Sequence, residues 1–398
     1  MNLNACAIPV VMYHTIGRVM PDWRWSFLTV PGTVFEDHLK WLVRAGYRTA
    51  DLEELHCHVA GQRLLPQRSV VLTFDDGYLD NWTYAAPLLR KYGCVGTVFV
   101  NPEFVDPRDI VRPSLDDVWE RKTSEEALEV RGFMSWPELR LLAANGPLRV
   151  ESHAMTHTWY PVGPQIVDFH HPGDGHFWLD WNALPERKPF YLTQPTATQI
   201  PFGTPIYEHQ KSLAATKFFP NPCEAQVLAD FVEEEGGGVF FARERWRETL
   251  MAKVRQLRDR GYKVGTYESE VGRIARYRFE LAECQMTIEG RLGRRVKFLC
   301  WPGGACNEIS RSIAVGLYAA VTLGSADPSP ARNRPGEDAR FIKRIGVPAI
   351  EHGRKVIYPG GRYLVQALRE YQGSWLARRS RQIIKVVACG KHAVCRRP

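Results

Sequence analysis

Short apolar runs alternate with segments of helical periodicity along most of the chain. Residues 9–13 (PVVMY) and 69–74 (SVVLTF) are unbroken runs of strand length, the pattern of strands covered on both faces. Residues 96–100 (GTVFV), 148–152 (LRVES), 296–301 (VKFLCW), 319–323 and 341–345 continue the series. Helices are predicted between them. Residues 34–45 carry apolar positions at helical spacing and end at Gly46, and residues 80–92 end at Gly93. Ser135-Trp-Pro-Glu138 is a capping box opening a helix that stops at Asn145-Gly146. Further helices are expected over 243–260 and 274–292. Repeated strand–helix units imply a parallel sheet, and so many of them favour a (β/α) barrel over an open sheet.

The alternation fails between Thr158 and Gly238, where Pro, Gly and aromatic residues crowd without period (WYPVGP, HHPGDGHFWLDW). Such a stretch is too long for a connection and reads as an inserted subdomain. The expected organisation is a first barrel segment over 1–157, the insertion over 158–242, a second barrel segment over 243–352 and a tail over 353–398. Residues 363–387 are read as one amphipathic helix followed by basic residues. No internal repeat is present.

Charge adds to this picture. The tail holds eleven Lys and Arg against Glu370 alone, so it carries +10 of the net +8 and the rest of the chain sums to −2. A nearly neutral body argues against a nucleic-acid enzyme with a basic groove. A basic amphipathic tail, with Trp375 followed by Arg378, Arg379 and Arg381, suits peripheral contact with an anionic membrane. Residues 1–6 lack a charged start and residues 8–13 are too short for the apolar core of a signal peptide. Nine scattered cysteines without a CxxC pair fit a reducing compartment. The expectation is a cytoplasmic protein, peripheral to the inner membrane face.

Chemistry in a barrel collects at the carboxyl ends of strands. Here the run SVVLTF ends in Asp75-Asp76-Gly77, LRVES ends in His153 with His157 four residues on, PVVMY ends in His14, and VKFLCW ends in Pro302-Gly303-Gly304. Two adjacent carboxylates repel unless a cation takes up the charge. A divalent metal can bind one and leave the other as a base. His at i and i+4 share one face of a helical turn and can reach one ion. One Asp and two His leave open positions for water and substrate. An Asp-Asp-Gly alone is most often a turn and a lone His pair most often structural; their joint placement gives the reading its weight. His170, His171, Asp174 and His176 in the insertion fit no metal spacing well. The insertion's aromatics suit either stacking on sugar faces or a small core.

TFDDGYLDN (Thr73 to Asn81) and SHAMTH (Ser152 to His157) resemble the two signature motifs of the polysaccharide deacetylases, the NodB homology domain. VMYHTIG near the start, MSWPELRLLAANG before the His motif and FLCWPGGACNE late in the chain are similar to other parts of that pattern. The resemblance covers residues 8–157 and 243–347. It implies a distorted (β/α) barrel that removes an N-acetyl group from an amino sugar. It implies Asp75 as general base, and Asp76, His153 and His157 as ligands of one divalent ion, with zinc expected and Co, Ni or Fe also suited to the set. It further implies that the turn Trp301-Pro302-Gly303 lines the site and that the Gly303 N–H is an oxyanion donor.

The sequence also departs from the pattern. Many members carry an Arg two residues before the Pro of the third motif, orienting the base; here that residue is Cys300. No late Leu-x-His supplies a general acid. In members with a permuted barrel the acid comes from a His after the first strand, which makes His14 the candidate, with His352 a weaker rival and a structural buried His the alternative. The leading expectation is an intracellular N-deacetylase acting on a nucleotide- or lipid-linked N-acetylated amino sugar of surface polysaccharide or lipopolysaccharide synthesis. A deformylase or amidohydrolase on a related amide, and a degenerate carbohydrate-binding protein, are the competing readings.

Overall fold

The computed structural model describes residues 6–194, 199–323, 332–352 and 355–394. Its centre is a nine-stranded sheet. The strands are β1 (Val10–Tyr13), β2 (Arg48–Ala50), β3 (Ser69–Phe74), β4 (Gly96–Val100), β5 (Leu148–Ser152), β6 (Phe298–Leu299), β7 (Ala320–Thr322), β8 (Phe341–Ile342) and β9 (Ile345–Gly346). Every pairing in it is parallel: β1 with β3, β3 with β2 and β4, then β4–β5–β6–β7–β8 in succession. β9 pairs with β1, so the two ends of the sheet meet in one segment, and only Lys343 and Arg344 separate β8 from β9. The fold is a distorted (β/α) barrel.

Side chains alternate along each strand with a period of two. One set, including Val70, Leu72, Phe74, Val98 and Val150, packs against the outer helices. The other set, including Val10, Val71, Phe99, Phe298, Cys300 and Ile342, fills the barrel interior. Continuing the inward set along the strands by one or two alternations reaches His14, Asp75, Asn101, His153 and Arg344. The polar site is therefore the top layer of the interior, seated on an apolar plug. The helix Trp136–Asn145 begins at the expected capping box, with the Glu138 N–H donating to Ser135 Oγ and the Ser135 N–H to Glu138 Oε2.

The added unit differs from expectation in extent. Its base is an antiparallel hairpin of Trp159–Phe169 and Pro205–Lys211, irregular between Pro161 and Ile166. The helix Trp246–Asp259, expected to resume the barrel at residue 243, instead shares a core with Phe169, Leu228, Val232 and Phe240. Phe218–Pro220 also pairs with Gly265–Tyr267. The unit thus runs on past residue 242, because the apolar stripe of that helix is matched to the helix Pro222–Glu234 rather than to the sheet. A second cluster joins Trp178, Trp181 and Ile206 to Tyr78, Phe104 and Phe133 of the barrel loops, so the aromatics of the insertion build a core that fastens it to the site.

The tail is corrected too. Gly361–Tyr371 and Trp375–Val394 are separate helices, broken where Gly373 adopts φ +102°. Tyr363, Leu364, Val365 and Leu368 of the first are buried, and its apolar face packs on Gly32–Arg44, so this part belongs to the barrel's outer layer. Among the described residues no helix is long and apolar enough to cross a membrane.

Candidate active site

His153 and His157 converge on Asp76. The two imidazole Nε2 atoms lie 3.1 and 3.3 Å from Asp76 Oδ1. The expected helical turn is absent: residues 153–157 form a loop in which Ala154 and His157 adopt φ +62° and +44°. Such backbone is costly outside glycine and persists only when surrounding contacts fix it. Those contacts are present. Glu280 accepts hydrogen bonds from the Thr156 N–H at 3.0 Å and the Thr156 hydroxyl at 2.5 Å. Asn101 Nδ2 donates to the carbonyls of His153 and Ala154. Lys188, from the insertion, donates to the Thr156 carbonyl at 2.8 Å and to Glu103.

Asp76 is held in the left-handed region as well, at φ +72°. His153 Nδ1 lies 2.8 Å from the Cys300 carbonyl, which can only accept, so Nδ1 carries the proton and Nε2 is left as a lone-pair donor. Burial pushes the Asp76 carboxyl up, but the facing imidazoles outweigh it and hold it well below the usual range.

Asp75 occupies a different environment. Arg344 grips it through Nη1–Oδ1 at 2.6 Å and Nη2–Oδ2 at 2.9 Å. Both side chains are under 10% exposed. Cys300 Sγ lies 3.5 Å from Asp75 Oδ2 and 2.9 Å from Arg344 Nη2. Burial alone would raise the Asp75 carboxyl; Arg344, with His153 and His14, outweighs this and keeps it below the usual range. The position at Cys300, expected to lack an orienting cation, is thus served by an Arg from the opposite edge of the sheet. Sequence reasoning missed Arg344. The usable signal was a basic residue at the carboxyl end of a barrel strand, the same criterion that picked out Asp75 and His153.

These groups open into one cavity of about 620 Å³. His14 lines it together with Asp75, Asp76, His153 and His157. His14 is half-buried, and among the described residues no hydrogen bond engages its ring. Trp301 and Gly303 line the cavity floor; Pro302 is buried behind them and turns the chain. Trp25, Trp159, Trp181 and Tyr191 form an aromatic wall. The side chain of His352 lies outside the described residues.

The donor set can be tested for a metal. Asp76 Oδ1 is buried and has no hydrogen bond of acceptable geometry although two imidazoles face it. Ligand atoms held roughly 2.0–2.1 Å from one ion lie about 3.0–3.4 Å apart, as these do. Asp76, His153 and His157 therefore fit a divalent ion, with His170, Asp174 and His176 forming no comparable group among the described residues. Asp75, His153 and Cys300 also lie close together, but both Asp75 oxygens and the Cys300 sulfur already face Arg344. A guanidinium there excludes a second cation, and Asp75 is left as a base.

Residues 63–169 match the family model described as polysaccharide deacetylase, a span that contains Asp75, Asp76, His153 and His157 but not His14. Over this segment the chain is similar to the polysaccharide deacetylase family. Over 93 residues it is 38% identical to the Bacillus subtilis polysaccharide-deacetylase relative YxkH, covering 23% of this chain and 31% of that one. Over 184 residues it is 23% identical to the poly-beta-1,6-N-acetyl-D-glucosamine N-deacetylase of Escherichia coli, covering 46% of this chain and 23% of that one. The chain spans less than a third of the length of these curated relatives. Among solved structures, a de-N-acetylase from Aggregatibacter actinomycetemcomitans superposes with TM-score 0.50 at 15% identity, over 85% of this chain and 94% of that one. The BpsB deacetylase domain from Bordetella bronchiseptica gives 0.50 at 18% identity, over 86% and 96%. These likenesses show a shared fold over more of the chain than the matched segment.

Proposed function

We propose that this protein is a polysaccharide deacetylase, a metal-dependent hydrolase that removes the N-acetyl group from an amino sugar. The observation that carries the reading is the split of two adjacent carboxylates: Asp76 faces two imidazoles, while Asp75 is held apart by Arg344. A divalent ion held by Asp76, His153 and His157 would supply Lewis acidity to water and to the amide carbonyl. Asp75, kept ionised by Arg344, takes the proton from the attacking water. His14, on the other flank of the cavity, gives a proton to the departing amine. The Gly303 turn faces the carbonyl oxygen. The aromatic wall suits the apolar faces of a sugar ring.

The substrate we favour is a nucleotide- or lipid-linked N-acetylhexosamine of surface polysaccharide or lipopolysaccharide synthesis, taken at the inner membrane face. Two features support it. All seven described cysteines are unpaired, in keeping with a reducing compartment. The helix Trp375–Val394 exposes Leu376, Ile383, Val386 and Val387 beside Arg378, Arg379 and Lys385, a face suited to an anionic bilayer. A second reading, action on a finished polymer of N-acetylglucosamine, draws on the name of the Escherichia coli relative. The test is metal analysis, with zinc expected, joined to acetate and formate release from nucleotide-linked, lipid-linked and oligomeric N-acyl amino sugars. Acetate release that disappears on chelation and returns with metal is the expected result. Formate release alone would assign a deformylase, and no release from a metal-loaded protein would overturn hydrolysis.

A further inference from the structure

Lys211 ends the second strand of the inserted hairpin, opposite Trp159. Its side chain leaves the insertion and crosses into the cavity beside the metal-site residues. The ammonium lies 5.5 Å from the centroid of the Trp159 ring. It presses against the floor turn so closely that a Cβ at Gly303 would sit 1.2 Å from Lys211 Nζ and 2.6 Å from Cε. Gly303 also adopts φ +53°. The positive φ favours glycine there, and any side chain would have to displace the end of the lysine.

Three Lys and Arg side chains line the cavity. Arg344 is engaged by Asp75, and Lys343 reaches Glu337 at 3.1 Å. Among the described residues no hydrogen bond and no carboxylate within ion-pair distance engages Lys211 Nζ. Burial lowers the Lys211 ammonium from its ordinary range, and the nearby Asp76 acts against this. An uncompensated ammonium in a half-buried site is a cost unless something negative arrives.

We propose that Lys211 is a catalytic residue that, with the Gly303 N–H, stabilises the carbonyl oxygen of the scissile amide as it becomes an oxyanion. This rests on the hydrolase reading above. In the step concerned, the water oxygen bonds to the amide carbon, its proton passes to Asp75, and the C=O π pair moves to the oxygen facing Lys211. Collapse restores the C=O bond, breaks C–N, and leaves acetate and the amine, protonated by His14. Lys211 takes and gives no proton; it meets the charge. The insertion is then part of the catalytic apparatus, because the barrel places no other uncompensated Lys or Arg at that point among the described residues.

The test uses the full chain loaded with zinc and compares wild type, Lys211→Met and Lys211→Arg. Acetate, whose carboxylate oxygen can occupy the oxyanion position, is titrated calorimetrically. Metal content and thermal midpoint are read on the same samples. The expected result is that Lys211→Met keeps its zinc and midpoint but binds acetate about tenfold more weakly or worse. With a turned-over substrate, kcat falls on the order of a hundredfold while KM moves little. Lys211→Arg, which keeps the charge, recovers part of both. Wild-type acetate affinity in Lys211→Met would overturn the assignment. So would a raised KM with unchanged kcat, which would mark Lys211 as an anchor for an anionic part of the substrate. Acetate binding that needs Lys211 in a wild type that deacetylates nothing would sink the hydrolase reading and leave the anion site standing.

Discussion

Arg344 and Asp75 meet through two parallel hydrogen bonds across the top of the barrel, one residue from the segment that starts at β1 and one from the segment that closes on it. The contact therefore reports barrel closure as well as base orientation. Arg344→Lys keeps a charge but loses the fork that fixes both carboxylate oxygens. The expected outcome is a kcat lower by roughly 10- to 100-fold with metal content unchanged, as for other groups that orient a reacting neighbour. Steady-state kinetics beside metal analysis checks this, and unchanged kcat would remove Arg344 from the mechanism.

The two carboxylates should separate cleanly under substitution. Asp76→Ala and His153→Ala remove ligands and are expected to lose the ion, read by metal analysis after dialysis. Asp75→Asn leaves the ligand set intact, so it should retain metal and lose turnover by about 10²- to 10⁴-fold, the usual range for a general base. A fully metallated Asp76→Ala protein would contradict the ligand assignment.

His14 is tested by removing its ring. With the ring gone in His14→Ala, the departing amine has no protonated partner. Turnover should fall by about 10²- to 10⁴-fold. Metal content should not change. A metal-loaded variant that keeps the wild-type rate would place the acid elsewhere.

Much of this site was legible because its staves are short, continuous apolar runs. Ser69–Phe74 and Gly96–Val100 fall where the pattern placed them, since parallel strands covered on both faces read as nearly unbroken apolar runs, and Leu148–Ser152 does so although Arg149 and Glu151 interrupt it. Once those ends are fixed, Asp75, Asp76 and His153 follow. The Arg344–Asp75 contact was hidden for a different reason. It joins residues 269 positions apart, and Lys343-Arg344 interrupts the last strand between two-residue pairings too short to show a period. Lys211 was hidden by Pro161, Gly163 and Pro164, which break the alternation of the hairpin strand opposite. The helical reading of His153 and His157 failed because spacing cannot reveal two left-handed residues held by Glu280 and Asn101.

His38 gives a stability prediction with a defined pH window. It is 1% exposed, lies 3.1 Å from the Tyr13 hydroxyl and 3.0 Å from the Pro359 carbonyl, and so ties β1 to the chain entering Gly361–Tyr371. Burial pushes its imidazole down from 6.5 to about 4. The unfolded chain then binds a proton that the folded chain refuses. Stability contributed by neutral His38 is full above pH 6.5 and is lost as pH falls toward 4. The shift corresponds to about 3 kcal/mol across that window. His38→Gln should be less stable at pH 7 but should lose less between pH 6.5 and 4. Urea unfolding at several pH values checks it, and parallel curves for both proteins would exclude His38 as the linked group.

The terminal helix carries the last prediction. Ala377 faces inward at 2% exposure, while Trp375, Leu376, Ile383, Val386 and Val387 are each more than half exposed. Arg379 lies over the Trp375 ring at 5.0 Å. A helix held on one face by the protein and apolar on the other, with basic flanks, should seat Trp375 at the headgroup level of an anionic bilayer. Vesicles of neutral lipid doped with anionic lipid should therefore bind the full chain and shift its tryptophan emission to the blue. Binding should weaken as salt rises, because each Lys or Arg near the surface adds only about 1 kcal/mol within a Debye length. Leu376→Glu with Ile383→Glu should abolish binding without altering hydrolysis of a soluble substrate. Equal binding by that variant would show that the contact lies elsewhere on the molecule.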